Sequence, residues 1–377
     1  MSPFNTTIDL GLRFVVEPSG AHLTEAEARA LSDLRPAGVM LRKRNFLTSE
    51  PYPVWLKALS TLLADIRAAI GRPNIIVSID HEGGAVHRFP PPITRFPYPA
   101  TYGGSLEAVA AVSGAMAKEL ASLGINLSFS PVADIHSNPN NPVINERAYG
   151  TNPDAVTNAA LTCAATLRAA GILPCAKHFP GHGDTGVDSH YTLPVLPHTQ
   201  RELEQRELIP FKALIDHGIE AIMTAHLMVP ALDAQAQATI SGPILNGLLR
   251  QQLGFNGVTF ADALGMKGIY DVVTSGQFCL KAHRAGLDIF LMVGDAVSIA
   301  DALTLRDQLA RDYEDNSLTE ASLLESQDRI LKLLSKLATH TPRELDQSEL
   351  TQHAALASQL ARNAPWSSFK FNPAGFE

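Results

Sequence analysis

The sequence predicts an α/β chain folded as a (β/α)8 TIM barrel with extra C-terminal helices, and three features of its patterning carry that expectation. Short apolar runs recur along the chain, each bounded by Gly or Pro and rich in Val, Ile or Phe, as strands buried on both faces are. Longer amphipathic segments separate them, several ending at a glycine stop. Ionisable residues gather just past the C-terminal ends of the runs, where such barrels carry their chemistry. A doubly wound open sheet is the alternative. It would normally carry a Gly-rich phosphate loop after an early strand, and none is found.

In chain order, LRFVVE (12–17) is the first strand candidate and TEAEARALSDL (24–34) the helical segment after it. GVMLRKR (38–44) is followed by VWLKALSTLLADIRAAIG (54–71), and NIIVSID (74–80) by LEAVAAVSGAMAKELASLG (106–124). INLSFSPVAD (125–134) leads to DAVTNAALTCAATLRAAG (154–171), and LPCAKHF (173–179) to TQRELEQRELIPFKALIDHG (199–218). IEAIMTAH (219–226) and GVTFAD (257–262) are the sixth and seventh strand candidates, and LDIFLMVG (287–294) precedes AVSIADALTLRDQLARDY (296–313). Eight βα units match a closed barrel of about 250 residues plus insertions. After about residue 315 the pattern changes: LTEASLLESQDRILKLLSKLA (318–338) and PRELDQSELTQHAALASQLARNA (342–364) read as two helices with no strand between. The expectation is a barrel over 1–315 and a helical extension over 316–377, packed on its outside or forming a dimer contact, ending in an irregular surface-bound tail, PWSSFKFNPAGFE.

Composition narrows the function classes. The chain has 377 residues, 45% of them hydrophobic, and a formal net charge of −8, with no basic arm, which excludes nucleic acid as a partner. Its three cysteines, Cys163, Cys175 and Cys279, form no CxxC pair, so neither a disulfide framework nor a zinc knuckle is indicated. The N-terminus lacks a basic start followed by a long apolar run, and no stretch is long enough to span a membrane. The expected compartment is the cytoplasm.

Five strand ends send polar groups toward one mouth. The third ends at Asp80, with Glu82 and Arg88 beyond; the fourth at Asp134, leading to Arg147; the fifth at Lys177 and His178; the sixth at His226; the seventh at Asp262. Each has a plainer reading. Asp262 is placed to cap a helix, Asp134 to bind loop amides, His226 to be a satisfied core histidine, and Arg147 to form a solvated pair with Glu146. Their shared location argues for a site.

KHFPGHGDTGVDSH (177–190) is the densest stretch. His178, His182 and His190 offer three imidazoles for zinc, but no HExxH helix is present and the Lys177 ammonium would repel a metal. The order GxxxxGK[ST] of a phosphate loop is missing too. The glycines suit a loop folding close over a small polar ligand.

This stretch closely resembles the signature of the glycoside hydrolase family 3 β-N-acetylhexosaminidases, whose best-known members are the NagZ-type enzymes of peptidoglycan recycling. IDHEGGAVHRF, NPVINERAYG, MTAH and GVTFADALGM extend the resemblance, in the expected order, over about residues 75 to 270. The resemblance implies a retaining mechanism through a covalent glycosyl-enzyme. Asp262 matches the nucleophile, and His190, oriented by Asp188, matches the acid/base. Asp80, Arg88, Arg147, Lys177 and His178 match sugar-binding residues; His226 and His182 are candidate supporting residues. The chemistry is coherent: a retaining glycosidase needs a nucleophile on one face of the sugar and a proton donor on the other, and an imidazole of near-neutral pKa serves as acid and then base. The implied ligand is a GlcNAc-containing glycoside, with no cofactor and no metal, bound by a monomer or a homodimer.

The sequence departs from the family pattern at Ala263, where a second acidic residue often follows the nucleophile, and at Ala85 and His87, where bulkier polar residues are frequent. Two other functions compete. A β-N-acetylglucosaminide phosphorylase would exploit His190, because an imidazole does not repel phosphate as a carboxylate does. A non-catalytic sugar-binding protein would lose nothing on substitution of Asp262, and the presence of Asp262, Asp188 and His190 together argues against it.

Overall fold

The computed structural model describes residues 7–187 and 193–362; Asp188 and His190, and the tail from 365 onward, lie outside them. Eight parallel strands form one sheet: β1 (Phe14–Val16), β2 (Gly38–Leu41), β3 (Ile76–Ile79), β4 (Leu127–Ser128), β5 (Leu173–Phe179), β6 (Ala221–Thr224), β7 (Val258–Phe260) and β8 (Phe290–Met292). The order is β7-β6-β5-β4-β3-β2-β1-β8. The ring is completed where Phe260 bridges Ile289, with the Ile289 N–H donating to Thr259 O and the Ala261 N–H to Ile289 O. All eight expected strands are present as a (β/α)8 barrel.

The helices follow the segments read from the sequence: α1 (Glu25–Leu34), α2 (Tyr52–Ile70), α3 (Leu106–Ser122) and α4 (Pro153–Ala169). α1 starts at a reciprocal cap in which the Thr24 hydroxyl accepts from the Glu27 N–H and the Glu27 carboxylate accepts from the Thr24 N–H. The 199–218 segment breaks into α5 (Gln200–Gln205) and α6 (Leu208–Asp216), with Arg206 between them at φ −143°. Pro210 explains the break, because a proline ring crowds the carbonyl four residues earlier, here that of Arg206. A wide-turn helix (Pro243–Gln252) precedes β7, α7 (Lys267–Val273) and α8 (Phe278–Ala285) precede β8, and α9 (Ile299–Glu314) follows it.

β4 is shorter than its apolar run. Pro131 has no N–H for the ladder, and pairing resumes as a single bridge of Val132 to Lys177, in which the Lys177 N–H donates to Pro131 O at 3.1 Å and the Ala133 N–H to Lys177 O at 2.7 Å. That detour carries Asp134 alongside the end of β5.

Two apolar layers hold the barrel. One lies between strands and outer helices; the other fills the barrel with side chains including Val15, Met40, Ile76, Cys175, Met223 and Phe260. α10 (Glu320–Lys336) joins the inner layer: Ile330, Leu333, Leu334 and Leu337 pack with it. An ionic tie reinforces the contact. Asp288, fully buried, accepts from Ser326 Oγ at 2.7 Å, Arg329 Nη2 at 2.9 Å and Arg250 Nη2 at 2.7 Å. Burial would raise its carboxyl, but the two arginines outweigh that and hold it below the usual range. α11 (Gln347–Arg362) lies on α3, where His353 Nδ1 is 2.8 Å from the buried Glu119 Oε1. No helix among the described residues is long and apolar enough to cross a membrane.

Candidate active site

The ends of β3, β5 and β7 bring together most of the residues singled out above. Lys177, buried near the C-terminal end of β5, directs Nζ to Asp80 Oδ1 at 2.7 Å and to Glu82 Oε1 at 2.6 Å. Burial would lower its pKa, but the two carboxylates raise it, so the ammonium is held charged. Glu82 also binds Arg147 in a fork, Oε2 to Nε at 2.7 Å and Oε1 to Nη2 at 2.8 Å. Burial opposes the ionised form of Glu82, yet Arg147 and Lys177 hold its carboxyl well below the carboxylate range. The solvated Arg147–Glu146 pair is therefore corrected: Arg147 is buried, and its partner is Glu82, 65 residues away in the chain.

Glu82 reaches inward because the chain turns at once behind it. The Glu82 N–H donates to Val86 O, and Gly83 takes φ +101°, with space for no side chain, since a Cβ would lie 2.4 Å from Pro97 O. Arg88, past this turn, is buried, and its Nε has no hydrogen-bond partner among the described residues. Burial lowers its pKa while Asp80 partly offsets that. A buried donor without an acceptor is the kind of group a ligand oxygen satisfies.

Asp134 does bind loop amides, and more. It is fully buried; Oδ1 accepts from the His182 N–H at 2.7 Å, and Oδ2 accepts from the His178 N–H at 3.2 Å and lies 2.6 Å from His178 Nδ1. Burial raises its carboxyl, but His178 and His182 outweigh that and lower it. The carboxylate holds a proton on Nδ1 of His178, and Nε2 lies 3.4 Å from Arg147 Nη2. His182 stands behind, edge-on to His178 with ring centroids 6.0 Å apart, and its Nδ1 is 2.8 Å from Thr185 Oγ1. Burial, then His178, pushes its pKa down to about 4, so it is neutral near pH 7. The loop seats closely here: a Cβ on Gly183 would lie 1.7 Å from Ile135 O.

Asp262 follows β7, half-buried, and among the described residues accepts only from the neighbouring Ala263 N–H at 2.7 Å. It caps no helix, since α7 begins at Lys267 with Met266 at the cap position. Burial would raise its carboxyl; His178, His226 and Lys177 outweigh that and lower it, leaving a carboxylate with unused oxygen capacity. His226 is buried and satisfied, with Nδ1 2.8 Å from Thr239 Oγ1 and Nε2 3.3 Å from Ala263 O. Asp188 and His190 belong to the segment outside the described residues.

Sequence reasoning named Glu82 in passing and missed its position between two cations. The signal was its place in a Gly-Gly turn directly after Asp80. It also missed Thr185 and Thr239, which orient two histidines. One cluster resembles a metal site: Asp184, His198 and Glu207 offer ligand atoms within 4.8 Å of one another. The Arg206 guanidinium lies among them, 2.5 Å from Asp184 Oδ2, 2.9 Å from His198 Nε2 and 2.5 Å from Glu207 Oε1, and supplies the positive charge there.

Comparison with known proteins agrees with this geometry. Residues 9–333 match the glycosyl hydrolase family 3 N terminal domain. The chain is 41% identical over 284 residues to β-hexosaminidase A of Pseudoalteromonas piscicida, covering 70% of this chain and 48% of that protein, so it spans about half of that relative's length. It is 37% identical over 313 residues to a β-hexosaminidase of Chromobacterium violaceum, covering 80% and 85%. The structure of NagZ from Neisseria gonorrhoeae in complex with N-trifluoroacetyl-D-glucosamine superposes with a TM-score of 0.70 at 30% identity, covering 93% of this chain and 98% of that one.

Proposed function

Because the chain belongs to glycoside hydrolase family 3, we propose that it is a retaining exo-β-N-acetylglucosaminidase acting on terminal β-linked GlcNAc. The observation that supports this best is Asp262: a carboxylate at a strand end, kept ionised by His178, His226 and Lys177, with one neighbouring amide as its sole hydrogen-bond donor among the described residues. In the first step an Asp262 oxygen attacks the anomeric carbon, the bond to the aglycone oxygen breaks, and His190 gives that oxygen its proton. In the second, water attacks the same carbon, His190 takes its proton, and the Asp262 ester is released. Asp188 orients His190. Two displacements return the β configuration.

Asp80, Lys177, Arg88, Arg147 and His178 bind the sugar in this reading. The unsatisfied Arg88 Nε and the partly exposed Asp80 carboxylate suit hydroxyl and amide groups. The ligand in the similar NagZ complex, an N-acylated glucosamine, supports that substrate class. The reading extends to a cytoplasmic role in peptidoglycan recycling, as a monomer or homodimer whose 316–377 extension belongs to the barrel. Aryl β-glycosides of N-acetylglucosamine, N-acetylgalactosamine, glucose and xylose test it: turnover should favour the N-acetylglucosaminide, and preference for the glucoside would overturn the substrate class. The imidazole acid/base also admits phosphate as acceptor, so the phosphorylase alternative is tested by comparing turnover and products with and without phosphate.

A further inference from the structure

We infer that Glu82 is a positioning residue for substrate binding: its buried carboxylate holds Arg147 and Lys177 where they meet the sugar, and so sets affinity without touching the sugar itself. The inference rests on the reading of Arg147 and Lys177 as sugar-binding groups.

Glu82 has almost no accessible side-chain surface, 1%, whereas Asp80, the other partner of Lys177, keeps 21%. Asp80 is therefore the partner that faces a ligand, whereas Glu82 is kept from one by its committed oxygens and not by burial alone, since Lys177 and Arg147 are themselves only 2% and 3% exposed. Both Glu82 oxygens are committed. Oε2 accepts from Arg147 Nε, and Oε1 is shared between Arg147 Nη2 at 2.8 Å and Lys177 Nζ at 2.6 Å. Two cations thus converge on one oxygen, an arrangement that like-charge repulsion forbids without the carboxylate. Of the three Nζ protons, Asp80 and Glu82 engage two, which among the described residues leaves one for a ligand. The fork to Arg147 fixes the plane of its guanidinium and brings Nη2 to His178 Nε2. One buried carboxylate therefore sets the position of two of the five proposed sugar-binding side chains, Arg147 and Lys177, and through Arg147 touches a third, His178, which Asp134 holds.

Neutral glutamine cannot replace it. If its oxygen takes the Oε1 position, its amide protons face Arg147 Nε–H; if it takes the Oε2 position, they face Arg147 Nη2 and the Lys177 ammonium. Each orientation sets donor against donor. Aspartate keeps the charge but is one methylene shorter, and cannot reach both cations at full strength.

The test is a comparison of Glu82→Gln and Glu82→Asp with the unaltered protein on an aryl N-acetyl-β-glucosaminide, with active sites counted by a slow fluoroglycoside label. Arg147 and Lys177 bind the sugar in ground state and transition state alike, so their displacement should appear mainly in KM. Glu82→Gln should raise KM about 10–100-fold, the factor for losing one hydrogen bond to a charged group, with a smaller fall in kcat per active site. Glu82→Asp should lie between it and the parent. Direct titration with N-acetylglucosamine should weaken in the same order. A purely structural role would lower only the number of active sites and leave KM unchanged, and that result in both variants overturns the inference. Should Glu82→Gln not fold, Glu82→Asp decides alone, by a raised or an unchanged KM. A parent protein inert on the glycoside would instead refute the proposed function, and the sugar titration would still read Glu82.

Discussion

Asp134→Asn is the sharpest single perturbation of the site's frame. The substitution preserves shape and removes one charge at a fully buried position. The carboxylate accepts from the His182 N–H at 2.7 Å and the His178 N–H at 3.2 Å, and lies 2.6 Å from His178 Nδ1. An amide has one oxygen to offer, so either orientation turns its NH2 against at least one backbone N–H. Hydrogen bonds to a charged partner contribute about 1.5–3 kcal/mol each. Weakening some and reversing one should cost about 3–5 kcal/mol, the range for breaking a buried pair. At about 2.1 cal/mol/K of unfolding entropy per residue, a 377-residue chain loses about 1.3 °C per kcal/mol, so the melting temperature should fall by about 4–6 °C. The pH dependence has a definite sign. The folded carboxyl lies below its unfolded value, so its contribution is complete above about pH 4 and is lost as pH falls through the folded pKa. The gap between parent and Asn variant should therefore narrow in acid. KM should rise as well, because Nδ1 of His178 loses the acceptor that holds its proton. Thermal unfolding at pH 7 and pH 3.5, with kinetics on an aryl glycoside, reads all three. An Asn variant that melts within 1 °C of the parent at pH 7 with unchanged KM would refute the reasoning.

Asp262→Ala should remain folded, because a half-buried strand-end carboxylate that bonds only its neighbour among the described residues adds little packing, and should lose turnover on every substrate; a fluoroglycoside label attached to any other residue removes it from the mechanism. Since Asp262 is held ionised below the ordinary carboxylate range, the acid limb of kcat/KM on an activated aryl glycoside should not be set by it above about pH 4. His190→Ala should lose about 10²–10⁴-fold on a disaccharide and far less on a nitrophenyl glycoside, with azide restoring part of the second step; equal losses on both, without rescue, would place the acid/base elsewhere. Ile330→Ala, which empties a buried position where α10 meets the barrel interior, should cost about 2–5 kcal/mol in denaturant unfolding while leaving KM unchanged; an unchanged midpoint would show that α10 does not support the barrel.

What the sequence determined by itself was local. Runs such as NIIVSID and LPCAKHF declare buried strands through composition and length, and Gly or Pro at their borders stops them, so strand number and the strand-end position of Asp80, Lys177 and Asp262 follow without a structure. Two deviations were also written locally, in Pro131, which shortens β4, and in Pro210, which splits the helical segment after β5. Tertiary structure alone decided the partners. Arg147 sits beside Glu146 in the chain but binds Glu82, because the β3 and β4 loops meet over the barrel mouth, and no pattern in the chain distinguishes a carboxylate one residue away from one 65 residues away. Asp134 could be read as an amide-binding residue, but not as the residue that holds the His178 Nδ1 proton, which depends on the detour at Pro131. The apolar spacing of Ile330, Leu333, Leu334 and Leu337 announces an amphipathic helix, but not that its target is the barrel interior. Periodicity and turn chemistry act over a few residues and can be read in one dimension. Pairing of buried charges is settled by which groups the closed barrel desolvates together, and that exists only once the ring has formed.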